Sequence, residues 1–233
     1  MSTPSMSRTC AALAASLALA SVAVVAPATA SAQSGDPTNG GRIASGSSGL
    51  RYPPDVQLGS IGGPELTSVG EIDLDRYAGE WFQVAAVPQP FTLQCASDTK
   101  ARYGVLSPTS VSVENSCRTA WGAESGISGK AEVVDPSDPA SLHVAFDGVP
   151  FQGGDSTANY RVTYLADDYS LAIVGDPART SGFVLSRTPD LSADAWDLVE
   201  RTVSDRGWWP CAFITTPQAG GRGDAVPLCP SSS

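Results

Sequence analysis

Cysteines, a single histidine and one arginine on an otherwise apolar strand face limit the chemistry open to this chain. Cys95, Cys117, Cys211 and Cys229 include no Cys-x-x-Cys pair, so disulfides suit them better than a metal site. Four cysteines allow three connectivities. Cys95 and Cys117 flank what reads as one β-hairpin, and Cys211 and Cys229 flank the last stretch, so local pairing is expected. Each closed loop would stabilise by about 3 kcal/mol in the chain-entropy picture. A thiol left unpaired on an inward face would be a candidate nucleophile. His143 stands alone, which excludes multi-histidine zinc sites and histidine-cluster pH switches. There is no Gly-x-Ser-x-Gly elbow and no His-Glu-x-x-His pair. Arg222-Gly223-Asp224 is an integrin-type tripeptide in a Gly-rich stretch, a pattern that chance readily produces.

The charge balance narrows the partners. Over 233 residues, 14 Lys and Arg stand against 24 Asp and Glu, a formal net of −10. A nucleic-acid binder needs a basic face, and a peripheral protein on anionic lipid needs a polybasic patch; neither is expected here. Residues 1–32 read as a signal peptide. Arg8 precedes an apolar run over 10–25, and Ala30-Ser31-Ala32 suggests cleavage before Gln33, with Ala28-Thr29-Ala30 as the alternative. The run is shorter than the ~20 residues of a membrane span, although an uncleaved anchor stays open. Cys10 follows Ser-Arg-Thr, not the small apolar residues of a lipoprotein signal, so secretion without a stable membrane anchor is expected. Residues 33–64 read as a Gly/Ser/Pro-rich linker, expected to be flexible because it cannot bury enough apolar surface to order itself. The remaining chain, 65–233, is expected to fold as one domain.

The elements that must position these residues are mostly strands. Runs rich in Val, Tyr, Phe and Thr at 81–87, 98–106, 110–117, 127–135, 141–147, 158–166, 169–175 and 182–188 alternate with turn clusters. Eight sequential runs fit an all-β fold, an up-and-down antiparallel barrel over about 80–188 with a lumen sized for one small ligand. Period-2 alternation puts Leu142, Val144 and Phe146 on one face and His143 on the other. Tyr103 shares a face with Ala101 and Val105, and Tyr160 with Val162 and Tyr164. Phe183, Leu185 and Arg187 share an inward face, and a buried Arg187 demands a partner. A single α-helix is expected over about 191–206, capped by Asp190 or Ser192. Its Trp196, Val199 and Val203 form a stripe for packing outside the barrel. The tail, 207–233, is expected to be closed by its cysteines.

Three segments carry a family resemblance. Asp75-Arg76-Tyr77-Ala78-Gly79-Glu80-Trp81 leads into the first strand, Asp167-Asp168-Tyr169-Ser170 joins the sixth to the seventh, and Leu185-Ser186-Arg187-Thr188 ends the eighth. In that order they resemble the signature regions of the lipocalins, closest to bacterial outer-membrane and apolipoprotein D-like members, over about 68–218. The resemblance implies a structural signature of Gly79, Trp81, Asp168, Tyr169 and Arg187. It implies that Trp81 closes the barrel floor, with the Arg187 guanidinium stacked on its indole and donating to carbonyls near 73–78.

The expected function is binding or carriage of a small hydrophobic or amphipathic ligand, with fatty acids or lysophospholipids implied by the bacterial relatives. Candidate cavity residues are Gln83, Ala85, Tyr103, Val144, Phe146, Tyr160, Val162, Leu171 and Phe183, with core packing the competing reading of each. Gln83 and the tyrosine hydroxyls would orient a head group. No catalytic residue, metal or cofactor is expected, and a protein partner is not indicated. The alternative is a lipocalin-fold enzyme acting on a small lipid or isoprenoid, which a free inward cysteine would favour. Haem ranks low because no histidine faces inward.

Overall fold

The computed structural model describes residues 64–150, 152, 154 and 156–229. The expected signal peptide, the linker up to residue 63 and Cys10 lie outside the described residues. A short helix, α1 (Leu74–Tyr77), leads into β1 (Gly79–Ala86). Then follow β2 (Cys95–Ser107), β3 (Ser110–Thr119), β4 (Glu124–Val133), β5 (Ser141–Phe146), β6 (Tyr160–Leu165), β7 (Leu171–Gly175) and β8 (Gly182–Ser186). Each pairs antiparallel with the next, and β1 pairs with both β8 and β2. The ring is therefore the closed eight-stranded barrel expected from the spacing, and closure leaves no long unpaired edge.

Two apolar layers hold it. The inner one gathers Leu74, Tyr77, Trp81, Tyr103, Val111, Val113, Leu142, Val162, Val174 and Leu185. The outer one sits between the barrel wall and α2 (Ala193–Asp205), where Val84, Ile173 and Val184 meet Val199, Val203, Trp208 and Phe213. Ser192 caps α2, its hydroxyl accepting from the Ala195 N–H at 3.2 Å. Val199 and Val203 of the anticipated stripe are fully buried, and Trp196 packs at the margin.

Two irregularities re-aim side chains. Register shifts fall between Gln83 and Ala85 on β1 and between Val162 and Tyr164 on β6. Each bulge breaks the period-2 alternation, so Ala85 and Tyr164 turn to the outer layer instead of the lumen. The pairing of β5 with β6 covers only Ser141↔Arg161 and Leu142↔Tyr160. Beyond it, side-chain amides replace the missing strand. Asn159 accepts from the Val144 N–H at 2.7 Å and donates to the Val144 carbonyl at 2.9 Å. Gln152 does the same for Phe146, at 2.6 and 2.7 Å. The β5 edge is thereby satisfied without a neighbouring ladder. His143 faces away from the lumen as expected, yet it is buried, with Nδ1 2.8 Å from the Thr157 carbonyl oxygen.

The segment after α2 does more than the sequence suggested. β1 leaves β2 after Phe82↔Lys100. From there the short β9 (Ile214–Thr215) takes the vacated edge at Ala85 and Ala86. The Thr216 N–H donates to the Val84 carbonyl, and the Asp98 N–H to that of Pro217. The buried Gln218 amide donates to the Gln83 carbonyl at 2.8 Å and to the Thr99 carbonyl at 2.9 Å, bridging the two parted strands. Cys95 joins Cys117 and Cys211 joins Cys229, with Cα separations of 5.5 and 4.7 Å, inside the roughly 7 Å a disulfide allows. A non-reducing peptide map is expected to return those two cross-links; a Cys117–Cys211 or Cys117–Cys229 peptide would contradict the arrangement. Arg222 and Asp224 grip each other, Nε to Oδ1 at 2.7 Å and Nη2 to Oδ2 at 2.9 Å. The two charges of the tripeptide therefore face each other at the surface.

Candidate functional site

The closed end of the barrel is built by the three separated segments. Arg187 lies with its guanidinium carbon 3.9 Å from the Trp81 ring centroid. It donates to the carbonyls of Glu80, Arg76, Tyr77 and Ala78 at 2.8–3.1 Å, and to that of Tyr169 at 3.3 Å. Trp81, fully buried, donates its indole N–H to the Tyr77 carbonyl at 2.8 Å. Gly79 has φ +98°, and a Cβ there would stand 3.2 Å from an Arg187 nitrogen, so both backbone and space call for glycine. Tyr169, at φ +62°, accepts the Asp73 N–H on its hydroxyl at 2.9 Å and carries Arg76 over its ring at 4.0 Å. The Ser170 hydroxyl and amide hold the Asp168 carboxyl below the usual carboxylate range and fix this turn. Each of the five signature residues thus makes contacts that build the floor.

Above the floor lies a cavity of about 710 Å³. Leu74, Val111, Val113, Ala131, Leu142, Val174 and Leu185 form its deep apolar wall. At the other end Phe91 and Val149, both exposed, and the polar Gln89, Gln94 and Gln152 mark the mouth. A concavity of about 850 Å³ lies outside the floor around Asp73, Arg76, Asp167 and Tyr169. Two of its polar groups are already engaged: Asp73 caps α1, and Arg76 donates to the Asp167 carbonyl. The lumen is the better ligand site.

Six of the nine expected lining residues reach the lumen: Gln83, Tyr103, Val144, Phe146, Tyr160 and Phe183. Three do not. Ala85 is turned outward by the β1 bulge. Leu171 also packs in the outer layer. Every residue of β7 is buried because α2 and its neighbours cover the outer face, so its apolar run carries no facial signal. Val162 belongs to the inner core but packs away from the open volume.

Two polar residues of the lumen, Tyr77 and Asn115, were not among the expected lining. Tyr77 joins Tyr103 and Tyr160, its hydroxyl 2.7 Å from that of Tyr160, which is 3.2 Å from that of Tyr103. The Tyr77 and Tyr103 rings stack with centroids 5.4 Å apart. Burial pushes the Tyr103 phenol up to about 12 and those of Tyr77 and Tyr160 well above 10, so all three stay protonated donors. Asn115 points inward one step past Val113, and its buried Oδ1 has no partner among the described residues. Alternation with Val111 and Val113 could have flagged Asn115; the tyrosines lie too far apart in the chain to suggest a cluster. Lys100, the one cation along the lining among the described residues, is engaged by Glu80 at 3.4 Å and lies over the outward Phe82 ring. All four cysteines among the described residues are paired, Cys117 on the lining included, so none offers the thiolate a nucleophilic mechanism needs.

Floor, wall and mouth make a calyx, an antiparallel barrel closed at one end around an apolar lumen. Residues 72–218 match the family model Lipocalin-like domain, and the chain belongs to the lipocalin family. It is 32% identical over 160 residues to temperature-induced lipocalin-1 of Arabidopsis thaliana, covering 66% of this chain and 84% of that protein. It is 31% identical over 156 residues to the outer membrane lipoprotein Blc of Vibrio cholerae, covering 64% and 85%. Among solved structures, the cockroach allergen Per a 4 shares the fold with a TM-score of 0.51 at 15% identity, over 71% of this chain and 96% of that one.

Proposed function

We propose that this protein binds and carries one small hydrophobic or amphipathic molecule, of the fatty-acid or lysophospholipid class, outside the cytoplasm. The observation that carries the reading is the cavity: apolar wall, closed floor, and polar groups gathered at the mouth and the base. A single acyl chain fits such a space, with its head group left among the mouth amides. The names of the bacterial relatives place those proteins at the outer membrane, which favours an extracytoplasmic setting. The N-terminal sequence, signal-like without a lipoprotein cysteine, favours release into the medium or periplasm. Titration with a fluorescent fatty acid is expected to saturate at one molecule per chain and to be reversed by unlabelled lysophospholipid. Native mass spectrometry of protein from its own host should show the carried lipid as an added mass. A wild-type protein that takes up no fatty acid, lysophospholipid or retinoid would remove the basis for a carrier.

A further inference from the structure

The tyrosine cluster at the cavity base has an unbalanced proton count. Three phenols bring three O–H protons, and a hydrogen bond uses one. The three oxygens make two bonds to one another, Tyr77 with Tyr160 and Tyr103 with Tyr160. However the protons are arranged, one O–H is left without an acceptor, and none of the three hydroxyls has a further protein partner among the described residues. The surplus donor sits at the bottom of the open volume, since all three side chains line the cavity and their neighbours Leu74, Val111 and Leu142 offer no acceptor side chain. A donor left idle in a dry pocket carries a desolvation penalty that only a ligand atom or solvent can relieve.

The electrostatics select the kind of atom. Among the described residues no cation contacts the tyrosine hydroxyls: Arg187, whose charge is felt at Tyr77, lies beneath Trp81 with its donors spent on five backbone carbonyls, and Lys100 is held by Glu80 and Phe82. A carboxylate or phosphate placed there would be a buried anion with no cation in contact, its nearest positive charge already committed to backbone carbonyls behind Trp81. A neutral oxygen would accept the surplus O–H without that cost. Resting on the carrier reading, we infer that the tyrosine floor is a specificity site for a neutral oxygen, a hydroxyl or ketone, at the buried end of an otherwise apolar chain. The ligand class is then an oxygenated lipid: its charged head, if it has one, stays at the mouth, and its chain ends in an oxygen on the tyrosines. From Val113, opposite Tyr103, to Cys117 the β3 wall is roughly 14 Å long, enough to separate the two polar ends by a medium-length chain.

The test compares dodecanoic acid with ω-hydroxydodecanoic acid on the wild-type protein, at a pH where both carry one carboxylate. The hydroxylated chain is expected to bind about tenfold more tightly, because a site built to bond a hydroxyl discriminates against the analogue lacking it. In a variant with Tyr77→Phe, Tyr103→Phe and Tyr160→Phe together, the rings remain and the whole network is removed at once, a change that is close to neutral for a buried hydrogen-bonded set. Its preference for the hydroxylated chain should vanish, the ratio of the two affinities falling to about one. Equal affinity of the wild type for the two acids would overturn the inference and leave the carrier reading standing; binding of neither would count against the carrier itself. A preference that survives in the triple variant would place the oxygen elsewhere in the lumen. If the triple variant does not fold, the wild-type comparison decides, with Tyr160→Phe as the milder change.

Discussion

Replacing Arg187 with leucine is expected to lower the stability of the protein by about 2–4 kcal/mol while leaving ligand affinity within a few-fold of wild type. The side chain serves five backbone carbonyls from two other segments and covers the Trp81 ring. Leucine would keep some of the ring contact and none of the donors. The carbonyls of Tyr77 and Ala78 would then face an apolar group beneath a fully buried tryptophan. Urea denaturation should show a lower midpoint at a similar slope, since the surface exposed on unfolding barely changes. Arg187→Lys should fall between the two, because an ammonium keeps the charge but not the planar fork that stacks and donates together. Trp81 separates Arg187 from the lumen. An unchanged midpoint combined with lost ligand binding would make the arginine a ligand contact and refute the floor assignment.

The second large effect is expected at the mouth. Phe146→Asp should weaken binding of a fluorescent fatty acid by at least tenfold, about 1.4 kcal/mol. The residue ends β5, lines the cavity and is only partly buried, so a carboxylate there meets the acyl chain and the fatty-acid charge without unpicking the core. The strand end should hold because Gln152 grips the Phe146 backbone, not its side chain. Far-ultraviolet circular dichroism should therefore match wild type. Unaltered affinity in a folded Phe146→Asp protein would put the ligand elsewhere.

What the sequence made legible follows from period and separation. Leu142, Val144 and Phe146 alternate with polar or small partners on a regular strand, and all three face the lumen as alternation requires. Ala85 and Tyr164 stand one bulge away from regular stretches, and nothing in their own side chains marks the extra residue that turns them round. Leu171 lies in a run apolar on both faces, where alternation has nothing to read. Gln218 was invisible for another reason: its role is to bond two carbonyls of parted strands, and backbone acceptors leave no trace in composition. The floor was legible because its residues are chemically peculiar. An arginine on an inward face needs a partner, and the lipocalin resemblance named Trp81. Tyr77 was quoted within that resemblance without a role, since a cluster assembled from positions 77, 103 and 160 exists only after the barrel closes.

The patch over the β1–β2 seam has a consequence for the order in which the molecule can be made. β1 is the first described strand off the ribosome; β2 pairs with its first half at once, but its other partners arrive late: β8 near residue 185, then β9 and Gln218, which lies 135 positions beyond the Gln83 carbonyl it caps. Until that stretch is synthesised, the first strand has no neighbour along half its length, and the ring stays an open, curling sheet. Such a topology folds after translation and pays a high loop-closure cost, so slow closure late in folding is built into its wiring. Through that interval a waiting chain displays β1's apolar face, while the β2–β3 hairpin can already close with its Cys95–Cys117 cross-link.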